Sequence, residues 1–296
     1  DYAADRRAPT PTAAAEIAVP VRMELLGWTG EAGARMTRAM HWGGEPFRFK
    51  GDTPPHVVFM IGESEYNTAS TLPMFAKKQL EYRGIRCSFV HVNENDPNDF
   101  AGIEALKDAD LLFLSVRRRT PPKAQLDLVR AHLAKGKPLV GIRTASHAFD
   151  REPPSEHHAR WAKFDDEILG VDYRNHHGNK PPKAATVIQA TAAGAGHSIL
   201  IGVPHDAFEA RSHLYKNKPV ATSVTVLMAG TLSGRDDISE PVAWTNEANG
   251  NRVFYTSLGG VGDFGLPAFQ RLLLNGVLWA LDEPVPPADP RVVAGK

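Results

Sequence analysis

Arg143 and His147 stand four residues apart in K-P-L-V-G-I-R-T-A-S-H-A-F, directly after the apolar run Pro138–Ile142. An apolar run set between a helical segment and a polar cluster is how a buried parallel strand delivers side chains to a crevice. A guanidinium placed there clamps a carboxylate, a phosphate or vicinal sugar hydroxyls, and an imidazole moves protons near neutral pH. Structural roles compete with both: Arg143 paired to a nearby carboxylate, and His147 a satisfied, partly buried histidine. Ser146 adjoins His147, but the loop lacks the G-x-S-x-G of a serine-hydrolase elbow, and sequence neighbours rarely face each other productively. Ser146 is therefore expected to contact a ligand rather than to act as a nucleophile.

Other strand ends supply further candidates. In G-E-S-E-Y, Glu63, Glu65 and Tyr66 follow the first strand, and two acids near an arginine and a histidine divide into proton donor and acceptor when burial separates their pKa values. Glu63 is the acid expected to point inward and act with Arg143 and His147; the alternative is that it caps a helix or pairs with Arg143. Arg117, Arg118 and Arg119 leave the third strand, where an inward cation and a solvated charge cluster are equally compatible with the sequence. In R-N-H-H-G-N, His176, His177 and Asn179 are expected to hydrogen-bond a polar ligand. Adjacent histidines diverge, and no H-x-x-x-H or H-E-x-x-H spacing occurs, so no cofactor is expected and a divalent metal is the lesser alternative. Asp263, in S-L-G-G-V-G-D-F, either joins the ligand contacts or caps the closing helix; the glycines before it do not have dinucleotide-binding spacing.

The elements that must position these groups follow an alternating strand and helix pattern from His56 onward. Strands are predicted at His56–Gly62, Ile85–Val92, Ala109–Val116 and Pro138–Ile142, with helices at Thr71–Arg83 and Pro121–Ala134. Ser155 is expected to cap a helix running through Leu169. Further strands are predicted at Ala185–Ala190, Val220–Leu227 and Pro241–Thr245, the last joined by the E-A-N-G-N turn to Arg252–Leu258. A core helix, Pro267–Leu281, closes the pattern. The expected fold is flavodoxin-like α/β: a mostly parallel central sheet with helices on both faces and functional loops at its carboxyl edge.

Around this domain, residues 51–282, lie an Ala/Pro/Thr- and Gly-rich segment, 1–50, expected to be an extended arm, and a Pro-rich tail, 283–296. Such an arm wraps its own domain or a neighbouring subunit in a homo-oligomer. Lys plus Arg and Asp plus Glu both number 34, so no net field favours nucleic acid or a membrane surface as a partner. No apolar run is long enough to span a bilayer. The single Cys87 sits in an alternating strand-like run, where a small core hydrophobe is expected rather than a nucleophile. The chain begins at Asp1, which fits a removed signal peptide or trimming, and export to the periplasm or beyond is expected, with the cytoplasm as the alternative.

Taken together, G-E-S-E-Y-N-T with T-L-P-M-F-A, P-L-V-G-I-R-T-A-S-H-A-F, H-H-G-N-K, E-P-V-A-W-T, R-V-F-Y-T-S-L-G-G and F-Q-R-L-L-L-N-G-V-L-W-A resemble the trehalose-utilisation (ThuA-like) family of the class I glutamine amidotransferase-like fold, over about His56 to Leu281. In true amidotransferases the corresponding elbow is G-x-C-x-G; here it is Gly141-Ile142-Arg143-Thr144-Ala145, with no thiol to form an acyl intermediate, so glutaminase chemistry is not expected. Many members of the family carry histidine where this chain has Arg143, and another after S-L-G, where it has Gly260. The resemblance implies a small-molecule carbohydrate as partner and acid-base chemistry on a glycoside or keto-sugar: isomerisation, elimination or hydrolysis. The alternative is a non-catalytic carbohydrate-binding or scaffold protein. Tyr66, Trp161 or Tyr215 would offer a platform for a sugar ring.

Overall fold

The structure, a computed structural model, describes residues 47–179 and 184–287. The chain divides into Asp1–Phe47 and Arg48–Lys296, and the elements below belong to the second. Of the expected N-terminal arm, residues 1–46 lie outside the described residues, as do 180–183 and, in the tail, 288–296.

Nine strands form one sheet in the order β2-β1-β3-β4-β9-β8-β7-β5-β6. β1 (His56–Gly62), β3 (Leu111–Val116) and β4 (Leu139–Ile142) are buried along their whole lengths, as strands covered on both faces must be. They pair in parallel with one another, with β2 (Arg86–His91) at the edge and with β9 (Val253–Thr256). In the β2-β1-β3 register Phe59 sits opposite both Phe89 and Phe113, and its ring stacks between theirs with centroids 4.9 and 4.6 Å away.

The other half of the sheet corrects the expectation of a mostly parallel, flavodoxin-like arrangement. β9 to β8 (Arg235–Asn246), β8 to β7 (Val224–Leu232), β7 to β5 (Thr186–Ala190) and β5 to β6 (Phe208–Ala210) are all antiparallel, and β7 and β8 are the two longest strands. Their connections explain this. The E-A-N-G-N turn joins β8 to β9, and Ser233-Gly234 joins β7 to β8 with Gly234 at φ 75°; loops this short reach only an antiparallel neighbour, because a parallel one needs a crossover. The Ser233-Gly234 turn is the signal not weighed in the sequence.

Helices cover both faces. α1 (Thr68–Phe75) continues through a π turn and a 3-10 turn to Arg83 and stops at Gly84, φ 89°. α2 (Lys123–Ala134) buries Leu126, Val129 and Leu133 in one cluster with Val58, Met60, Val253 and Tyr255. α3 (Pro267–Ala280) lies against the opposite face, because Phe254 alternates with Val253 and Tyr255 and a Cβ on Gly276 would fall 2.2 Å from the Phe254 ring. The helix expected from Ser155 to Leu169 is shorter: only a π turn, Asp165–Leu169, forms. Backbone groups of the preceding residues are bonded elsewhere, Ala159 N–H to Pro121 O and Trp161 N–H to Phe149 O, so a continuous helix there would forfeit those bonds.

Candidate functional site

β4 leads directly into a 3-10 turn, Arg143–His147, at the carboxyl edge of the parallel half. Arg143 itself adopts φ 42°, a left-handed conformation that costs a non-glycine residue about 1 kcal/mol. Its carbonyl oxygen is held in place by two hydroxyl donors, Tyr255 Oη at 2.5 Å and Ser146 Oγ at 3.2 Å.

The Arg143 side chain is buried. Its Nη1 donates to Ser257 O at 2.8 Å, and the guanidinium carbon lies 4.2 Å from the Tyr66 ring centroid and 4.6 Å from that of Tyr215. Ring faces carry negative quadrupole density, so the two phenols attract the cation without neutralising it. Among the described residues no carboxylate forms an ion pair with Arg143, and its buried Nε has no hydrogen-bond partner. Burial opposes the charge, but Tyr215, Tyr66 and Asp263 outweigh it and raise the pKa above the ordinary arginine value. The result is a permanently cationic, donor-rich group at the centre of a buried aromatic cluster, the Arg143 pocket of the proposed function.

His147 forms one wall. Its ring stacks on Tyr173, centroids 4.4 Å apart and planes within 12°, and tilts toward Tyr215 at 6.1 Å. Burial first, then the charges of Arg118, Arg117 and Arg143, depress its pKa to about 3. The imidazole is therefore neutral at physiological pH, which corrects the expectation that it titrates near neutrality. Ser146 Oγ does face His147, 3.1 Å from Nδ1, contrary to the expectation for sequence neighbours, but this hydroxyl is buried beneath the elbow with the Arg143 carbonyl. Tyr173 and Tyr215 are both held protonated, Tyr173 pushed up to about 12 and Tyr215 well above its ordinary value, chiefly by burial.

Of the three carboxylates placed at this edge by sequence, Glu63 and Asp263 are held by backbone donors. Glu63 accepts from the backbone N–H groups of Glu65, Tyr66 and Thr68 at 2.6, 2.7 and 2.8 Å and from Thr68 Oγ1 at 2.6 Å. Four donors occupy its lone-pair positions, so it organises the β1–α1 turn and presents Tyr66 to Arg143; capping, the alternative role, is the one its geometry matches. Asp263 lies beneath the glycine loop after β9, accepting from Arg211 N–H at 2.7 Å, Gly259 N–H at 2.9 Å, Gly260 N–H at 3.1 Å and the Ser212 hydroxyl. It does not cap α3, whose N-cap, Leu266, receives no side-chain bond.

The remaining expected residues divide. Glu65 pairs with Arg117 at 2.9 Å, and Arg118, at φ 50°, donates its backbone N–H to His147 O at 2.9 Å, so both arginines adjoin the elbow. His176 stacks on His213, centroids 4.7 Å apart, and lies 6.5 Å from the Tyr215 ring, at the edge of the aromatic group. His177 instead meets Glu240 at 3.1 Å, and Asn179 is consumed in the core by Thr186 Oγ1, Ala184 O and Leu214 N–H. Trp161 is remote from the pocket, packed on Phe164 and bonded to Glu167. Tyr173, His213 and Tyr255 were missed; the first two lie on a ribbon in which Arg174 N–H bonds Lys216 O and His177 N–H bonds Leu214 O, and only the recurrence of aromatic and histidine residues in these two irregular segments hinted at it.

A model of the trehalose-utilisation (ThuA) family matches residues 57–280. The chain belongs to this family. Among solved structures, a ThuA-like protein from Parabacteroides merdae superposes with a TM-score of 0.57 at 18% identity, covering 77% of this chain and 90% of that one. A carbohydrate deacetylase superposes with a TM-score of 0.53 at 12% identity, covering 78% of this chain and 33% of that one. At these identities the likeness shows the fold alone. Among curated proteins, the exodeoxyribonuclease 7 large subunit of Ruegeria pomeroyi is 77% identical over 39 residues, 13% of this chain, and the match spans 8% of that protein's length.

In this ThuA-family chain the turn that follows β4 opens with a buried arginine and carries no thiol. Cys87 lies elsewhere, on β2, and burial raises its thiol pKa far above the ordinary value. Among the described residues no three His, Cys, Asp or Glu side chains converge as a metal-ligand set, and no helix is long and apolar enough to cross a membrane.

Proposed function

We propose that this ThuA-family chain binds a glycoside or keto-sugar in the Arg143 pocket and carries out acid-base chemistry on it, by isomerisation, elimination or hydrolysis. The observation that carries this reading is a buried guanidinium held by two phenol rings and one carbonyl, with no carboxylate partner and with Nε free. Such a group attracts an oxygen that gains negative charge during reaction, such as the enolate oxygen of a keto-sugar, in surroundings where water does not screen it. Protonated Tyr173 and Tyr215 donate hydrogen bonds to hydroxyl or carbonyl oxygens, and aromatic surfaces suit the C–H faces of a sugar ring. Neutral His147 is in the form required of a proton acceptor; Glu63 is not assigned that role, because its oxygens are engaged.

The family description and the carbohydrate-deacetylase neighbour support a sugar-related activity. A second reading, carbohydrate binding without turnover, is favoured by a specific observation: the arginines that surround His147 make it a weak base. A panel of glycosides and their keto derivatives separates the two. Turnover that disappears in both Arg143→Ala and His147→Ala supports the enzyme. Binding without turnover, lost in Arg143→Ala, supports the second reading, and undiminished turnover in both variants overturns the assignment.

A further inference from the structure

The loops that follow β1, β3 and β4 enclose a second concavity beside the Arg143 elbow, of about 420 Å³, lined by Ser64, Arg117, Arg118, Arg119, Asp150 and Arg151. Four guanidinium groups meet three nearby carboxylates there, Asp150, the Glu65 partner of Arg117 and Glu63, whose charge acts on Arg119, so positive charge is in excess locally although the whole chain has a formal net charge of zero. The pairings are incomplete. Arg118 Nε reaches Asp150 only at 4.0 Å, and the buried Arg117 Nε has no partner. Arg119 is tethered through Nε to Gly62 O at 2.9 Å, and its pKa is lowered by burial and by the repulsion of Arg151 and Arg117.

Holding like charges together in a cavity is unfavourable unless something of opposite sign completes it. Arg118 also stands at φ 50°, a conformation that persists in a non-glycine residue only where its surroundings impose it, and such positions concentrate at ligand sites. Two backbone bonds impose it here, Arg118 N–H to His147 O and Arg119 N–H to Ala148 O. The same bonds make the arginine cavity and the Arg143 pocket neighbours across one turn of chain.

We propose that the arginine-lined cavity binds an oxyanion group, and that the carbohydrate taken by the Arg143 pocket therefore carries a phosphate, sulfate or carboxylate substituent. The proposal rests on the carbohydrate reading above. Planar guanidinium forks match such groups bidentately, and the cavity is large enough to take the substituent together with part of the sugar that carries it. The two sites are electrostatically coupled as well. Arg118 and Arg117 are the leading charges that depress His147, so an anion placed between them partly cancels their field and restores basicity to the imidazole.

The test uses the whole chain at low ionic strength and measures affinity by calorimetry for inorganic phosphate, glucose 6-phosphate, glucuronate and glucose. The variants are Arg118→Asn, which tolerates the left-handed backbone, and the double variant with Arg151→Ser. The expected result is that charged sugars bind more tightly than glucose and lose about tenfold in affinity in the double variant, while glucose affinity is unchanged. In parallel, phosphate raises the pKa of His147, followed through its imidazole NMR resonance, in the wild type and not in the double variant. Equal affinity for charged and neutral sugars, or undiminished charged-sugar binding in the double variant, overturns the proposal. Phosphate binding that depends on Arg118 with no sugar bound at all overturns the carbohydrate reading and leaves the oxyanion site standing. Thermal melting of each variant identifies misfolding, and charge reversal of the exposed Arg151 to Glu gives a second, fold-independent check: it must weaken charged-sugar binding further.

Discussion

In the parallel half of the sheet, β1, β3 and β4 end in loops that place charges: Arg117, Arg118 and Arg143 with the turn built on Glu63. Beside the antiparallel strands, the segments 171–177 and 211–217 place rings instead, Tyr173, His176, His213 and Tyr215. Neither half makes the pocket alone. Arg143 from the first is held against Tyr215 from the second, and His147 against Tyr173. The division teaches that charge is brought to the site by strand ends, where position is set by regular hydrogen bonding, and selectivity is added by irregular chain that can vary without disturbing the sheet.

The largest effect that probes this division is the acid limb of stability. A His147 pKa of about 3 lies below the ordinary 6.5, so the unfolded chain binds a proton that the folded one refuses, and stability is full above pH 6.5 and falls as pH drops toward 3. The contribution is on the order of 4 kcal/mol. His147→Gln should flatten this limb in urea unfolding at a series of pH values; an unchanged slope would mean that burial and the neighbouring cations do not depress this ring. Next come the two carboxylates, one from each side of the β4–β9 seam. Asp263→Ala removes the acceptor of four donors, those of Gly259, Gly260 and Ser212 buried, and should cost about 3 kcal/mol in the same assay. Glu63→Ala, at a turn closer to solvent, should cost about 2 kcal/mol; the reverse order would show that the β1–α1 turn, not the glycine loop, is the firmer support. The smallest effect on binding is Tyr215→Leu, which removes one ring from the Arg143 guanidinium and should weaken carbohydrate binding by about tenfold, with a lowered melting temperature because the ring is fully buried. A loss as large as that of Arg143→Ala would place the binding energy in the aromatic half.

The parallel half was legible because its strands are apolar runs bounded by breakers, and the residue after each run is visible: Glu63, Arg117 and Arg143 lie where the pattern puts them. The β8–β9 hairpin was legible through its N-G turn. What was not legible depends on which partner a side chain finds. Glu63 and Asp263 are acids at strand ends, as a catalytic acid would be, and only the convergence of backbone N–H groups on each shows that both are supports. Asn179 and His177 sit in a histidine-rich motif that invites a ligand, yet Thr186 and Glu240, distant in sequence, claim them first. The depressed pKa of His147 likewise comes first from its burial under rings distant in sequence and then from the arginines around its turn, neither of which a spacing rule contains.

Arg143 brings only donors to its pocket, and its bonds to Ser257 O and to the Tyr66 side chain use two of them. A hydroxyl or carbonyl oxygen can accept from those that remain, whereas a protonated amine has no lone pair to offer and carries the same sign of charge. A carbohydrate bound there as proposed would be sorted by its inventory of lone pairs: an amino sugar should be turned away at neutral pH where its hydroxyl counterpart is admitted, and N-acetylation, which replaces the ammonium with an acceptor carbonyl, should restore entry.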